Sequence, residues 1–260
     1  MKLKIFLADA FASNLFKGNP AAIVPLTAWL PDLTMQQIAA ENNLSETAFF
    51  IPENDHFHIR WFTPQSEVNL CGHATLATAH VLFNEMNFQG EFIWFNSKSG
   101  MLTVRKTADM LQLDFPADFV RLVKSKALFT KAFGIKASAT YKGRTDFLLL
   151  FDSEEIIRNM KPDFHVLHQT DARGIMVTAK GIEVDFVSRF FAPGVGINED
   201  PVTGSAHTSL VPFWSATLKK TELTALQLSE RGGRLWCKLS GNRVLIAGRV
   251  VTYLRGEIEI

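Results

Sequence analysis

Arg60-Trp61-Phe62-Thr63-Pro64 and Arg189-Phe190-Phe191-Ala192-Pro193 are two versions of one motif that is typical of a strand end. A polar loop follows each motif and leads to a glycine, in Gly72-His73-Ala74-Thr75 and in Gly204-Ser205-Ala206-His207-Thr208. The two copies are separated by about half of the 260-residue chain. A strand, a polar loop and a glycine that opens an apolar helix therefore occur once per half. This repetition predicts two similar domains and a site built from the same loop of each.

The composition limits the classes of protein to consider. A hydrophobic content of 47% and a charged content of 20% describe an ordinary globular protein with a substantial core. A formal net charge of +1, without basic runs, argues against nucleic-acid binding and against an anionic membrane surface. No apolar run is long enough to span a bilayer, and the N-terminus lacks the pattern of a signal peptide. With only Cys71 and Cys237, the sequence predicts a reducing compartment, the cytoplasm.

Each half contains a helix that is apolar on nearly every side. The first is predicted over Gly72–Asn84 and the second from about Ser205 to Trp214, where Pro212 limits regularity. Such a helix must be surrounded by protein, and many short strands accompany each one. We therefore predict an α+β fold of two pseudo-symmetric domains, each a curved, mostly antiparallel sheet or barrel around a central buried helix. A doubly wound sheet is disfavoured because the glycines lack GxGxxG spacing.

The predicted domains cover residues 1–116 and 117–260, and the last C-terminal strand is free to return to the first domain. Asp114–Ala117 is the predicted linker. Strands and a further helix are predicted from alternation and turn signals. The strands are Ile5–Leu7, Ala21–Val24, Ser45–Ile51, His56–Phe62, Phe147–Phe151, Ile175–Val177, Val184–Phe190, Arg243–Val251 and Leu254–Ile260, and the helix is Pro31–Asn42.

Gly72 and Gly204 mark two predicted helix starts. The first amides of a helix lack intrahelical partners and carry partial positive charge, so such an end binds a carboxylate or phosphate. Glycine lets the ligand approach the backbone closely. The alternative is that both glycines, with Ser205, only begin buried helices. Their duplication favours a functional pair.

Two carboxyl groups are candidates for acid–base chemistry. Glu46 enters an apolar strand in Ser45-Glu46-Thr47-Ala48-Phe49-Phe50, a setting suited to general acid–base catalysis. Its alternative is a strand-edge glutamate that faces water. Asp200, in Glu199-Asp200-Pro201, is an acid–base group, an acceptor for a cationic substrate group or an ordinary loop residue.

Histidine and cysteine positions suggest substrate contacts rather than a metal centre. His73 and His80 share one helix face and His207 lies on the twin helix, but zinc sites usually show tighter spacing or more ligands. We therefore predict no metal, with His73 and His207 contacting substrate. Cys71 adjoins a site glycine, but its twin is Thr203, which argues against a two-thiol racemase. Asn19 flanks an early loop, Asp9–Pro20, which either closes over the site or is an ordinary loop.

These residues resemble the phenazine-biosynthesis isomerase (PhzF-like) family. The resemblance spans residues 9 to about 210 and rests on five motifs in the family's order. They are Asp9-Ala10-Phe11, Gly18-Asn19-Pro20, Leu44-Ser45-Glu46-Thr47-Ala48-Phe49, Phe62-Thr63-Pro64 through Leu70-Cys71-Gly72-His73-Ala74-Thr75, and Glu199-Asp200-Pro201-Val202-Thr203-Gly204-Ser205-Ala206-His207. The resemblance implies a diaminopimelate-epimerase-like fold with its site between two domains, isomerase chemistry without cofactor or metal, and a homodimer.

The resemblance also implies roles for individual residues. Glu46 falls on the catalytic carboxylate of the family. The substrate-contacting positions fall on Gly72, His73, Asp200, Gly204 and Ser205. One departure is Asn69, where this subgroup commonly has aspartate, so the substrate is less transferable.

The sequence thus predicts an enzyme, a cofactor-independent isomerase that moves a proton on a small carboxylate-bearing metabolite. Its predicted catalytic residues are Glu46, Asp200 and His73. The predicted substrate-binding residues are Asn19, Cys71, Gly72, Gly204, Ser205 and His207. One alternative is an amino- or hydroxy-acid racemase or epimerase with Asp200 or Cys71 as the base opposite Glu46. Another is a metabolite-binding or regulatory protein without turnover.

Overall fold

The computed structural model describes residues 1–260 as two compact units, Met1–Asp114 with Ala247–Ile260, and Phe115–Ile246. The strands are β1 Lys2–Ala10, β2 Asn19–Pro25, β3 Glu46–Glu53, β4 His56–Phe62, β5 Glu67–Val68, β6 Phe92–Ser97, β7 Gly100–Thr107, β8 Met110–Pro116, β9 Arg121–Leu122, β10 Ala139–Lys142, β11 Phe147–Leu150, β12 Ile175–Lys180, β13 Phe186–Ala192, β14 Ile197–Asp200, β15 Glu222–Gln227, β16 Gly233–Ser240, β17 Arg243–Gly248 and β18 Val250–Glu259. The helices are α1 Asp32–Asn42, α2 Gly72–Asn84, α3 Ala127–Phe133, α4 Glu154–Asn159, α5 Phe164–His168 and α6 Gly204–Leu218, with a 3₁₀ turn at Pro193–Val195. None of the helices is both long enough and apolar enough to cross a membrane.

The first unit is a mostly antiparallel sheet with two parallel pairings. β1 lies between β18 and β2 and is antiparallel to both. β2 then runs parallel to β3, which is antiparallel to β4. β4 pairs with β5 and, in parallel, with β6, which continues into β7 and β8. Parallel neighbours need a crossover, and α1 and α2 provide the two crossovers.

The second unit has the same order of pairings. β10 is antiparallel to β11, which runs parallel to β12, and β12 is antiparallel to β13. β13 pairs with β14 and, in parallel, with β15, which leads to β16. Arg60 on β4 and Arg189 on β13 therefore lie on equivalent strands, as the doubled motif predicted. The predicted α+β class and the pseudo-symmetry of the two domains are confirmed.

α2 is the central helix of the first unit. All of its residues from His73 to Phe83 except His80 are buried, and it packs against β1, β2, β3, β7 and β18. A helix that is apolar all round is stable only when protein surrounds it, because each exposed apolar face would cost free energy. The predicted bounds of this helix, Gly72–Asn84, are confirmed.

α6 is longer than the sequence predicted, since it continues through Pro212 to Leu218. Proline has no N–H, so the carbonyl of Thr208, four residues earlier, loses its usual intrahelical partner. The backbone N–H of Asp118 donates to that carbonyl at 3.0 Å instead. A tertiary hydrogen bond thus satisfies the carbonyl and lets the helix continue, which the local sequence could not reveal.

The break between the last two strands was predicted in the wrong place. The sequence suggested an interruption at Thr252–Tyr253, but β18 runs unbroken from Val250 to Glu259. The register against β1 shifts there, because Leu7 pairs with Leu254 whereas Ala8 pairs with Thr252. The expected interruption is a β-bulge at Tyr253, and the strand break lies at Arg249.

Gly18 should be hard to replace by alanine. Its φ is +68°, and a Cβ atom would lie 2.1 Å from the carbonyl oxygen of Ala10. Gly134 has the same φ, but no atom lies within 4 Å of its Cβ position. Both substitutions carry the cost of left-handed backbone, and only Gly18→Ala adds a steric clash. We expect Gly18→Ala to lower the free energy of unfolding by about 1–3 kcal/mol more than Gly134→Ala in urea denaturation. Equal losses would contradict the Ala10 contact.

Candidate active site

Glu46 is the first residue of β3, in register with Ala21 of β2. Its side chain is only 12% exposed, so it does not face water. Its Oε2 atom lies 3.1 Å from Nε2 of His73, within ion-pair distance. The two atoms are not aligned for a hydrogen bond, and neither has another partner. The carboxylate therefore keeps hydrogen-bonding capacity for a proton or a ligand.

His73, in the first turn of α2, connects the polar groups of this region. Its Nδ1 atom lies 3.2 Å from Nδ2 of Asn19 and 3.5 Å from the sulfur of Cys71. Burial alone would lower the pKa of His73, but Cys71 and the Glu46 carboxylate outweigh burial and raise the pKa well above 6.5. Rotation of the Asn19 amide would present its oxygen to a protonated ring.

Cys71 precedes α2 as its N-cap residue. Its side chain is buried, and burial, together with the negative charge of Glu46, raises the thiol pKa to about 11. One ligand atom each from Cys71, Glu46 and His73 lies within 4.8 Å of the others. The Cys71 sulfur lies against Nδ1 of His73 and the Glu46 carboxylate against Nε2, so the three side chains cannot share one metal ion.

In the second unit, Asp200 ends β14, and its side chain is hydrogen-bonded to the loop that precedes α6. Its Oδ2 accepts a hydrogen bond from Oγ1 of Thr203 at 2.5 Å. Gln227, on β15 and fully buried, donates to the Asp200 carbonyl at 2.7 Å and accepts from the Thr203 N–H at 2.9 Å. Sequence reasoning missed Gln227. The only signal for Gln227 in the sequence was a polar residue at a position of the strand that faces the core.

His207 is fully buried on α6 and differs in charge from His73. Burial lowers its pKa to about 4, so it is neutral at physiological pH. Nδ1 lies 2.8 Å from the carbonyl oxygen of Thr203 and must donate to it, which leaves Nε2 as an acceptor. Nε2 is buried and has no hydrogen-bond partner in the structure.

The predicted helix starts are where the sequence placed them. α2 begins at Gly72 and α6 begins at Gly204, and the residues before them, Cys71 and Thr203, form no side-chain capping hydrogen bond. No capping side chain therefore accepts a hydrogen bond from the first backbone amides of either helix. Ser205 is exposed.

The structure thus brings together two sets of predicted residues. Asn19, Glu46, Cys71, Gly72 and His73 lie together in the first unit. In the second unit, Asp200 and His207 are joined through Thr203 beside Gly204 and Ser205. Asn69, the departure from the resemblance, accepts a hydrogen bond at its backbone carbonyl from Ser99.

An arginine–glutamate pair explains the doubled motif. Arg60 donates to both carboxylate oxygens of Glu67 at 2.8 and 2.9 Å, and its guanidinium lies over the ring of Phe62. Arg189 donates to both oxygens of Glu199 at 2.7 and 2.8 Å, and lies over the ring of Phe191.

Each glutamate stands five positions before the glycine that opens the central helix of its unit. Because the arginine lies on β4 or β13 and the glutamate on the short antiparallel strand β5 or β14, the pair fixes the segment that leads to the helix start. The sequence analysis noted the arginines but missed their pairing with Glu67 and Glu199. The equal spacing to Gly72 and Gly204 was the available signal.

The two units differ where Glu46 stands. Thr47 pairs with Phe62 in the first unit, and Ile175 pairs with Phe191 in the second. The counterpart of Glu46 is therefore Gly174. A Cβ atom there would lie 2.3 Å from the ring of Phe190, so no side chain fits. The second unit has no carboxylate at the equivalent position.

Comparison with known proteins agrees with this geometry. Residues 8–256 match the phenazine biosynthesis-like protein family. The chain belongs to this family. An uncharacterized isomerase of Pseudomonas aeruginosa is 50% identical over the whole of both chains. A PhzF-family protein of Enterococcus faecalis, known from its crystal structure, is 46% identical with a TM-score of 0.98 over the whole of both chains.

A more distant relationship concerns the fold alone. A hydroxyproline epimerase of Agrobacterium vitis has a TM-score of 0.64 at 9% identity, over 99% of this chain and 92% of that one. The predicted epimerase-like fold is confirmed.

Removal of the Glu67 charge in this PhzF-like chain should change how its stability depends on pH. Hydrogen bonds from Arg60 lower the pKa of Glu67 from 4.5 to about 2, with help from Lys98 and against its burial. A carboxyl with a depressed folded-state pKa stabilises the fold above its unfolded pKa, and this stabilisation is lost as pH falls toward about 2. The contribution is at most about 3.5 kcal/mol, at about 1.4 kcal/mol per pH unit.

We therefore expect Glu67→Gln to be less stable than the wild type at neutral pH. The difference should shrink between pH 4.5 and 2. Urea denaturation at several pH values measures it. A difference that does not change with pH would show that the Arg60–Glu67 interaction is not ionic.

Gln227→Met should destabilise the loop before α6. The substitution keeps the volume but leaves the Thr203 N–H and the Asp200 carbonyl without their partner. Unsatisfied buried groups cost about 1–3 kcal/mol each. We expect a loss of that size in the free energy of unfolding. Gln169→Met, at an exposed position, is the control and should change stability by less than about 0.5 kcal/mol.

Proposed function

We propose that this protein is a cofactor-independent isomerase that moves a proton on a small carboxylate-bearing metabolite. The observation that carries the proposal is the buried cluster of Glu46, His73 and Cys71, in which a carboxylate with an unused oxygen lies 3.1 Å from an imidazole. The family supplies the reaction class, because several of its members are named isomerases.

Glu46 is the group that takes the proton from carbon. Its buried Oε2 makes no aligned hydrogen bond, so a lone pair is available to accept a proton from a bound substrate. His73, with its raised pKa, faces that oxygen as a cation or as a donor. It stabilises the carboxylate before the transfer and orients it toward the substrate.

The Glu46 carboxylate, the Cys71 thiol and the His73 imidazole each place one atom within 4.8 Å of the others in the first unit. This arrangement favours removal and return of a proton on one face, which is a positional isomerisation. The positions equivalent to Glu46 and Cys71 in the second unit are Gly174 and Thr203, which supply neither a carboxylate nor a thiol. A racemase would need Asp200 as its opposite base.

The N-termini of α2 and α6 are the proposed anion-binding groups. We assign the amides at Gly72 and Gly204 to the substrate carboxylate or the developing oxyanion, since uncapped helix N-termini stabilise negative charge. Asn19, Cys71, Ser205 and His207 contact substrate, and Asp200 orients it. His207 suits this role because its neutral ring keeps a buried acceptor nitrogen without a partner.

The resemblance also supports a homodimer in the cytoplasm. Both cysteines are free and buried, as in proteins of reducing compartments. Light scattering after size-exclusion chromatography gives the oligomeric state directly.

The decisive experiment is incubation with a panel of small carboxylic acids in heavy water, followed by mass spectrometry and chiral chromatography. The proposal predicts an acid that is converted to a positional isomer of unchanged or singly increased mass. An epimerase would instead produce the mirror configuration with full deuterium at one carbon. A bound metabolite without exchange or turnover would support a binding protein and refute the proposal.

A further inference from the structure

The central helices of the two units are covered differently near their C-terminal ends. In the first unit, β18 pairs with β1 and contacts α2. Oγ1 of Thr252, on β18, lies 2.9 Å from Nε2 of His80, and Arg255 donates to both carboxylate oxygens of Glu85 at 2.6 and 2.7 Å. A strand of 10 residues, with its own hydrogen bonds to the helix, thus covers this face of α2.

The corresponding face of α6 is open. Counted from the first residue of each helix, Pro212 and Thr217 take the positions of His80 and Glu85. The strand that corresponds to β18 is β9, which has 2 residues and pairs with β10. A groove of about 360 Å³ remains between the segment before β9, strand β10 and helix α6.

This groove is apolar and largely aromatic. Phe119 is 63% exposed at its edge, and Leu122, which pairs with Tyr141, is 70% exposed. Large apolar side chains that are exposed together mark an interaction surface. The residues that line the groove carry no charge and include Phe119, Val120, Tyr141, Pro212, Phe213 and Ala216.

We propose that a second copy of this chain docks on this groove, with Phe119 of each copy inserted into the groove of the other. A twofold axis places the same patch on both partners, so the patch must offer both a protruding group and a receptor for it. The exposed ring of Phe119 is the protruding group. The groove is the receptor, since its volume of about 360 Å³ is in the range of pockets that take ligands larger than one aromatic ring.

The charges around the groove favour a second copy over a charged partner. Because twofold symmetry brings like residues together, a lining with one strong sign of charge would repel itself. The lining residues carry no charge. Arg121 of β9 lies on the opposite side of its strand from Leu122, because successive side chains of a strand alternate. An acidic or basic partner would therefore find no complementary charge in the groove.

Sedimentation velocity of the full-length protein over a range of concentrations tests the interface. Phe119→Asp removes the ring, and Ala216→Trp fills the groove from an exposed position on α6. Each change should raise the dissociation constant of the dimer at least about 30-fold, as loss of a central aromatic anchor does. Ile182→Asp is the control, since Ile182 is 83% exposed but does not line the groove, and it should leave the dissociation constant unchanged.

A mixture of the two variants tests the contact between ring and groove itself. Phe119→Asp keeps an open groove and Ala216→Trp keeps the ring, so a mixed dimer can form one of the two contacts. The mixture should therefore associate more tightly than either variant alone. Circular dichroism and urea denaturation verify that each variant is folded.

This inference rests on the proposed homodimer and is independent of the proposed proton transfer. If the wild type sediments as a monomer, the homodimer and this interface both fail. If the wild type is a dimer that both variants leave intact, the homodimer stands and this interface fails. Neither result changes the proposed chemistry, which the heavy-water experiment tests.

Discussion

Replacement of Glu46 by glutamine is expected to lower kcat by about 10²–10⁴-fold, the usual contribution of a general base. The change keeps the shape of the side chain and removes its ability to accept a proton. Because the carboxylate also lies within ion-pair distance of His73, urea denaturation of the variant separates the loss of proton transfer from any loss of stability. The readout is the rate of deuterium incorporation from heavy water into whichever acid the wild type turns over.

A glutamate on the same strand provides the control. Glu53 ends β3, and its side chain is 43% exposed beside His56. Glu53→Gln should exchange deuterium at close to the wild-type rate, with the same free energy of unfolding within about 0.5 kcal/mol. If Glu46→Gln exchanged at the wild-type rate as well, Glu46 would not be the base and the proposed mechanism would be wrong.

Replacement of Arg189 by alanine is expected to produce the largest loss of stability, about 3–5 kcal/mol. The side chain is only 11% exposed. Besides its two bonds to Glu199, it donates to the carbonyls of Ile157 and Met160 at 3.2 and 2.6 Å. The substitution therefore leaves a largely buried carboxylate and two carbonyls without their donor. Urea denaturation measures the change.

Two further variants separate the causes. Arg189→Lys keeps the charge but cannot form the fork of parallel hydrogen bonds, so it should fall between wild type and alanine. Arg105→Ala is the control, since Arg105 and its partner Glu91 are each about half exposed and such pairs contribute about 0–1 kcal/mol. A loss of equal size in Arg189→Ala and Arg105→Ala would refute a structural role for the Arg189–Glu199 pair.

The sequence predicted the elements that depend on local pattern. Alternation in His56–Phe62 and the all-round apolar character of Gly72–Asn84 gave the bounds of β4 and α2 as observed. Elsewhere, contacts between segments that are distant in the chain changed the bounds that the local sequence pattern predicted. The helix predicted to end near Trp214 continues to Leu218, and the Asp118 N–H satisfies the Thr208 carbonyl that Pro212 leaves without a donor. The gap predicted between two strands at Thr252–Tyr253 is a bulge in one continuous strand that pairs with β1.

The candidate site shows the same division. Glu46, Cys71, His73 and Asn19 could be nominated from residue type and motif. Their mutual distances come from pairing β3 with β2 and packing α2 against them, contacts between segments far apart in the chain. Gln227 was missed because its importance lies in two hydrogen bonds to the Asp200–Thr203 loop, which no local pattern encodes.

The sequence by itself determined that the chain contains one motif twice, because the period of apolar residues and the spacing of glycine, proline and glutamate are properties of the linear chain. Only the tertiary structure decided how the copies differ. Packing of the Phe190 ring against Gly174 excludes any side chain where the first unit places Glu46. Cys71 and the Glu46 carboxylate raise the pKa of His73 against its burial, whereas burial lowers the pKa of His207. Charge and steric space depend on neighbours in three dimensions, so the asymmetry on which the proposed chemistry rests became visible only in the fold.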